Sequence, residues 1–150
     1  MASSTTEPSA VVGEEQACGF SQRVFSMESE AMEATLHFQI LDLGRQYYIW
    51  ISASGPKMAN LYLAIQTPAD PKPSVASLIP GPAGGAGESL AQRLALKAKK
   101  PVLVSCNLPS NTPMLQAIAE RRLLQELAEM AGGGGQAAAS AAVVAGTPAL

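Results

Sequence analysis

The 150 residues carry 10 Lys+Arg against 12 Asp+Glu, so at a formal net charge of −2 no global field draws the chain onto nucleic acid or anionic lipid. No run approaches the roughly 20 apolar residues that span a bilayer. Cys18 and Cys106 lack C-x-x-C spacing, and His37 is the only histidine, which excludes a disulfide framework and a histidine-built metal cluster.

Residues 1–16 are rich in Ser, Thr and Glu and hold too little apolar surface to offset the entropy of ordering; residues 1–17 are expected to be a disordered tail. The start has neither the basic opening nor the apolar block of a secretory signal, and it has no arginine of the kind an organellar presequence needs. These features predict a soluble protein with reduced thiols, in the cytosol or nucleus. Residues 20–25 can form a first strand with Phe20, Gln22 and Val24 on one face. Residues 27–34 (MESEAMEA) prefer helix or loop.

From 35 to 43, Leu36, Phe38 and Ile40 alternate with Thr35, His37 and Gln39, the period-two pattern of a half-buried strand. Gly44 marks a turn. Residues 46–54 then place Tyr47, Ile49 and Ile51 on one side and Tyr48 and Trp50 on the other, so this strand is expected at the centre of a sheet, covered on both faces. After the turn at Gly55-Pro56, Leu61, Leu63 and Ile65 alternate with Tyr62 and Ala64. Short turns between these strands predict an antiparallel meander. Pro68, Pro71 and Pro73 punctuate a connection to a short strand at 74–79, and residues 80–87 (PGPAGGAG) read as a flexible loop.

Ser89 and Gln92 make an S-x-x-Q capping box ahead of a helix whose Leu90, Ala91, Leu94, Ala95 and Ala98 recur at helical spacing. Lys97, Lys99 and Lys100 crowd its last turn, where cations favour the helix dipole, and Pro101 stops it. Val102, Leu103 and Val104 follow as a covered strand, with Cys106 as a buried apolar filler. Thr112 and Pro113 open a second helix that carries Leu115, Ile118, Ala119, Leu123 and Leu127, with Arg122 and Glu126 falling within the stripe. Glycines 132–135 are expected to end it near Met130, leaving 132–150 as a disordered Gly/Ala-rich tail around a single domain at 18–131. Strands first and helices after predict an α+β fold, an antiparallel sheet of about six strands with two main helices packed on it.

No constellation for catalysis, metal or cofactor emerges. The glycine-rich loop has Gly87-Glu88-Ser89 where a phosphate loop needs Gly-Lys-Ser/Thr, and no dinucleotide fingerprint is present. His37 lacks a positioned partner, and Ser105 and Cys106 lack a nucleophile elbow. Arg93, Lys97, Lys99 and Lys100 form the one basic cluster, either a solvated helix face or a patch for an acidic protein partner. Tyr47, Tyr48, Trp50 and Tyr62 are core residues or, because helices can cover only one sheet face, anchors of a dimer formed through the sheet.

Residues 89–95 with Lys97, the strand Val102–Ser105, and Asn107-Leu108 resemble the signature of the proteasome assembly chaperone 4 family. Phe20 to Arg23, Leu36-His37-Phe38, Tyr48-Ile49-Trp50, and Glu120, Arg122 and Leu123 match in order, so the resemblance spans residues 20–127. It implies a non-enzymatic chaperone with a small α+β fold. Members pair as a heterodimer with assembly chaperone 3, bind α-subunits of the 20S proteasome core, promote correct α-ring formation and leave as β-subunits arrive. Residues 27–34 read as an insertion relative to the family, and the 80–87 loop and longer tails also depart from it. Arg93, Lys97, Arg122, Tyr48 and Trp50 are the residues expected at a protein interface. The competing reading is a generic α+β adaptor of trafficking or scaffold type.

Overall fold

The computed structural model describes residues 19–83 and 85–146. The expected disorder of residues 1–17 falls outside them, as do residues 147–150. Six strands form one sheet: β1 (Ser21–Ser29), β2 (Ala34–Asp42), β3 (Tyr47–Ser52), β4 (Leu61–Thr67), β5 (Asp70–Ile79) and β6 (Val102–Asn107). Two helices accompany them, α1 (Gly87–Ala98) and α2 (Pro113–Gly146). The fold class is the α+β architecture read from the sequence.

The strand order is β1-β2-β3-β6-β4-β5. β1, β2 and β3 make an antiparallel meander. The expected continuation of that meander into β4 does not occur: β6 enters between β3 and β4, parallel to β3 and antiparallel to β4, so the sheet is mixed. A parallel neighbour needs a long crossover, and β4, β5 and α1 together supply it.

β1 is longer than residues 20–25, and half of the region read as a helical or looped insertion, 27–29 and 34, is strand. Pairing continues through Ser29 opposite Ala34. One 3-10 turn at Glu30–Met32 then closes the hairpin, with Glu33 at φ 48°. Local helix preference in MESEAMEA gives way because Met27 and Met32 pack on the core and Phe25 stacks on Phe38 at 4.7 Å between ring centroids. Phe20 itself is exposed. At the other edge, β5 already begins at Asp70 and takes in Pro71 and Pro73. An edge strand tolerates these prolines because one row of its amides has no ladder partner to lose.

The reciprocal capping box is not formed. α1 starts at Gly87, two residues before the expected cap, and no side chain caps it. The Gln92 side-chain amide instead donates to the Pro73 carbonyl at 2.7 Å, tying α1 to the edge strand. Gly87 allows this early start: a Cβ there would stand 2.5 Å from Tyr62 Cε2. At the far end Lys99 adopts φ 55° and its amide donates to the Ala95 carbonyl, ending the helix just ahead of Pro101.

α2 opens at Pro113, and the Thr112 carbonyl accepts the Gln116 amide as an N-cap carbonyl should. The Thr112 hydroxyl donates back to Pro109. α2 continues to Gly146 and does not stop at glycines 132–135. Each glycine disfavours helix by about 1 kcal/mol, but the alanines beyond it have the highest helix propensity.

The core lies on one side of the sheet. Leu36, Phe38, Ile40, Ile49, Ile51, Val102, Val104 and Ala64 are fully buried against Leu90, Ala91, Leu94, Ala95, Leu115, Ala119, Leu123 and Leu127 of the helices. Each large aliphatic among them contributes about 1.5–3 kcal/mol of transfer free energy. Beyond the last β4–β6 pair, Tyr62 opposite Val104, Asn60 imitates a peptide: its Nδ2 donates to the Cys106 carbonyl at 2.7 Å, and its Oδ1 accepts the Cys106 amide at 2.9 Å.

Asn60→Ala should therefore leave two buried backbone groups of Cys106 unpaired and lower stability by about 2–3 kcal/mol. Gly87→Ala should cost about 1–3 kcal/mol through overpacking against Tyr62. Urea unfolding checks both, with lower midpoints at an unchanged slope; midpoints equal to the parent's would refute the two contacts.

Candidate functional site

Strand pleating fixes which side chains face away from the helices. Because Leu36, Ile49, Val104 and Ala64 point into the core, the alternate positions form an outer face. One complete row of that face can be followed by register across all six strands: Gln22, Leu41, Tyr48, Leu103, Leu63, Ala76. Five of these residues are half-buried, Ala76 is exposed, and four are large apolar or aromatic groups. Val24 and Trp50 flank the row on one side, and Ile65, 40% exposed, flanks it on the other. A contiguous apolar surface of this kind, open to solvent on a folded domain, is characteristic of a protein-binding face.

One margin of the face is polar and fixed. Residues 53–60 fold back across the ends of β3 and β6. Trp50 Nε1 donates to the Lys57 carbonyl at 2.7 Å, the Ser52 hydroxyl donates to the Gly55 carbonyl at 2.6 Å, and the Ala59 amide donates to Asn107 Oδ1 at 2.7 Å. The indole N–H is thereby satisfied within the loop. Burial pushes the Tyr48 phenol upward from its ordinary value, so it stays a neutral hydrogen-bonding group at physiological pH.

The expected interface residues divide between two sides of the molecule. Tyr48 and Trp50 belong to the outer face. Arg93, Lys97 and Arg122 belong to the helix layer behind the sheet. Arg93 makes a two-pronged contact to Glu120 of α2, at 2.6 and 2.7 Å; that hydrogen bond raises its already high pKa further, against a smaller opposing effect of burial. Arg122 lies over the Phe25 ring, 5.2 Å from its centroid, and pairs with Glu126 at 2.6 Å. Arg23 of β1 reaches the same carboxylate at 2.6 Å. Buried Glu126 thus binds two guanidinium groups, which explains why a charged pair interrupts the apolar stripe of α2. Arg122 is part of the packing between α2 and β1. Lys97 is exposed.

Leu41, Leu63 and Leu103 are the site residues that sequence reasoning missed. The signal was available at Leu63 and Leu103, which occupy the odd face relative to Tyr62 and Val104. It could not be read without knowing which face the helices cover.

A cavity of about 230 Å³ lies beside the 53–60 loop, lined by Lys57, Asn60, Tyr62, Cys106, Asn107 and Gln116 among others. Its polar groups serve the fold. Asn60 is spent on Cys106, and Asn107 Nδ2 donates to Ser105 Oγ and the Ile51 carbonyl. Burial pushes the Cys106 thiol up, partly offset by a hydrogen bond from the Leu108 backbone. Among the described residues no group of three or more His, Cys, Asp and Glu could hold a metal. Among them, too, no helix is long and apolar enough to cross a membrane.

The sequence profile of the proteasome assembly chaperone 4 family matches residues 35–108, from β2 to the end of β6. The mouse protein named proteasome assembly chaperone 4 is 33% identical over 95 residues, covering 63% of this chain and 76% of the relative. Its human counterpart is 29% identical over 111 residues, covering 74% of this chain and 89% of the relative.

Two substitutions separate structural from superficial charge. Glu126→Ala, which removes the buried carboxylate that Arg23 and Arg122 share, should cost about 3 kcal/mol. Arg93→Ala, at a side chain 51% exposed, should cost less than about 1 kcal/mol. Equal losses in chemical denaturation would contradict this assignment.

Proposed function

This chain belongs to the proteasome assembly chaperone 4 family, and from that premise we propose that it acts as a chaperone in proteasome core assembly, working by binding and without catalysis. In this reading it is one half of a heterodimer with assembly chaperone 3, joined through the outer sheet face, and the pair engages α-subunits so that the α-ring closes in the right order. It works in the cytosol or nucleus.

The observation that carries the reading is the row Leu41, Tyr48, Leu103 and Leu63, with Trp50 beside it, on the sheet face that neither helix covers. Tyr and Trp supply large contact area at small entropic cost and are favoured where two proteins meet. A flat sheet face buries apolar surface without reorganising the backbone, which suits a partner that must later leave. Templating then needs only that correct neighbours are held longer than incorrect ones, a difference in affinities that transient binding can supply.

Co-expression with assembly chaperone 3 followed by size-exclusion chromatography should give a one-to-one complex that retains α-subunits from cell extract. Leu63→Glu or Tyr48→Glu places a charge within the desolvated centre of the proposed contact. Either should weaken pairing by about 2 kcal/mol or more while leaving far-ultraviolet circular dichroism unchanged. A parent chain that elutes as a monomer beside its expected partner, or variants that pair as well as the parent, would reject the proposal.

A further inference from the structure

A second surface lies at one end of the molecule and does not depend on the outer sheet face. β3 and β6 run parallel with Tyr47 opposite Val102, and the Tyr47 amide donates to the Pro101 carbonyl at 3.0 Å. The residues that precede the two strands therefore sit side by side. Arg45 lies in the turn before β3, and Lys99 and Lys100 lie just before β6. α1 ends at the same place and brings Lys97. Only the chain's return through the sheet gathers these four cations, because Arg45 is more than fifty positions from the lysines in sequence.

Ion pairing sets this cluster apart. Arg23, Arg93 and Arg122 each have a carboxylate oxygen at 2.6 Å. Lys100 has a looser contact with Asp42 at 3.8 Å and lies 4.8 Å from the centroid of the Tyr47 ring. Arg45, Lys97 and Lys99 are exposed, and among the described residues none of them has an ion-pair partner. Exposed Glu28, Glu30 and Glu33 lie at the opposite end, around the β1–β2 turn.

Two further features belong to the cationic end. Lys99 holds φ 55°, a left-handed conformation that glycine adopts freely and that a side chain strains. A lysine stands there nonetheless. Leu96, in the last turn of α1 and one position before Lys97, is 45% exposed, so a large apolar group stands beside the charges.

We propose that Arg45, Lys97, Lys99 and Lys100, with Leu96 between them, dock an acidic peptide segment of a partner protein that also carries one apolar side chain. Neither competing anion has the same fit. Single-stranded nucleic acid needs aromatic faces beside the cations, whereas Tyr47 is buried beneath Lys100 and Tyr48 faces the other side of the sheet. An anionic membrane needs an extended apolar helix face, and α1 exposes only Leu96 as a large apolar group.

The test is fluorescence anisotropy with the full chain and a labelled short peptide of alternating glutamate and serine with one central leucine. A single-stranded oligonucleotide and phosphatidylserine vesicles serve as the other anions. The peptide should bind with an affinity that falls as salt rises. The triple variant R45E/K97E/K99E should lose roughly tenfold, as exposed attractions become repulsions. Lys99→Gly should raise the melting temperature yet weaken the peptide, whereas a purely structural Lys99 would show only the thermal gain. Leu96→Ser should weaken binding without altering its salt dependence, and Tyr48→Glu should bind like the parent. No peptide binding by the parent, an unaffected triple variant, or tighter capture of oligonucleotide or vesicles would each overturn the proposal.

Discussion

The backbone groups of Val102–Asn107 find partners on both sides because β3 and β4 stand with a strand-wide gap between them. β6 fills that gap, with Val102 and Val104 fully buried and Cys106 held by the amide of Asn60. Because β6 is parallel to β3, the connection must cross the sheet, and α1 is the part of that crossover which covers the face. The same constraint lays both helices on one side and leaves the row from Gln22 to Ala76 on the other. It also brings the start of β6, with its lysines, next to the turn that carries Arg45.

Charge follows a related division. Arginines that could have been surface contacts are consumed in holding elements together: Arg23 and Arg122 converge on Glu126 between β1 and α2, and Arg93 joins α1 to α2 through Glu120. Planar guanidinium groups suit such two-pronged, partly buried contacts better than ammonium groups do. The lysines stay at the periphery, where a hydrated point charge costs nothing to keep. Position, and not residue type, separates packing charge from contact charge, since Arg45 stands exposed in the turn before β3.

β2 was legible from alternation, and β3 and β6 from their β-branched and aromatic apolar runs; their inward Leu36, Ile40, Ile49, Ile51, Val102 and Val104 are the buried ones. β1 was legible only in its first half, since its second half is written in residues that prefer helix and becomes strand by pairing with β2. The capping box failed for a similar reason: Ser89 and Gln92 have the right spacing, yet Tyr62 accepts Gly87 so closely that the helix begins earlier, and Gln92 finds the Pro73 carbonyl instead. Of the candidate site, Tyr48 and Trp50 were legible as aromatics on a strand with two apolar faces. Leu41, Leu63 and Leu103 were not, because their exposure is a property of the sheet.

By itself the sequence determined the fold class, the apolar periodicity of the central strands, the proline stop between α1 and β6 and the family to which the chain belongs. All of these are encoded in neighbours within a few turns or a few strand residues, where sterics and local hydrogen bonding decide. Strand order, the parallel entry of β6, the sheet face left uncovered and the fate of each arginine were decided only by tertiary structure. Each of those depends on which distant segments share a boundary, and the free energy of burying one against another is not a property of either segment alone.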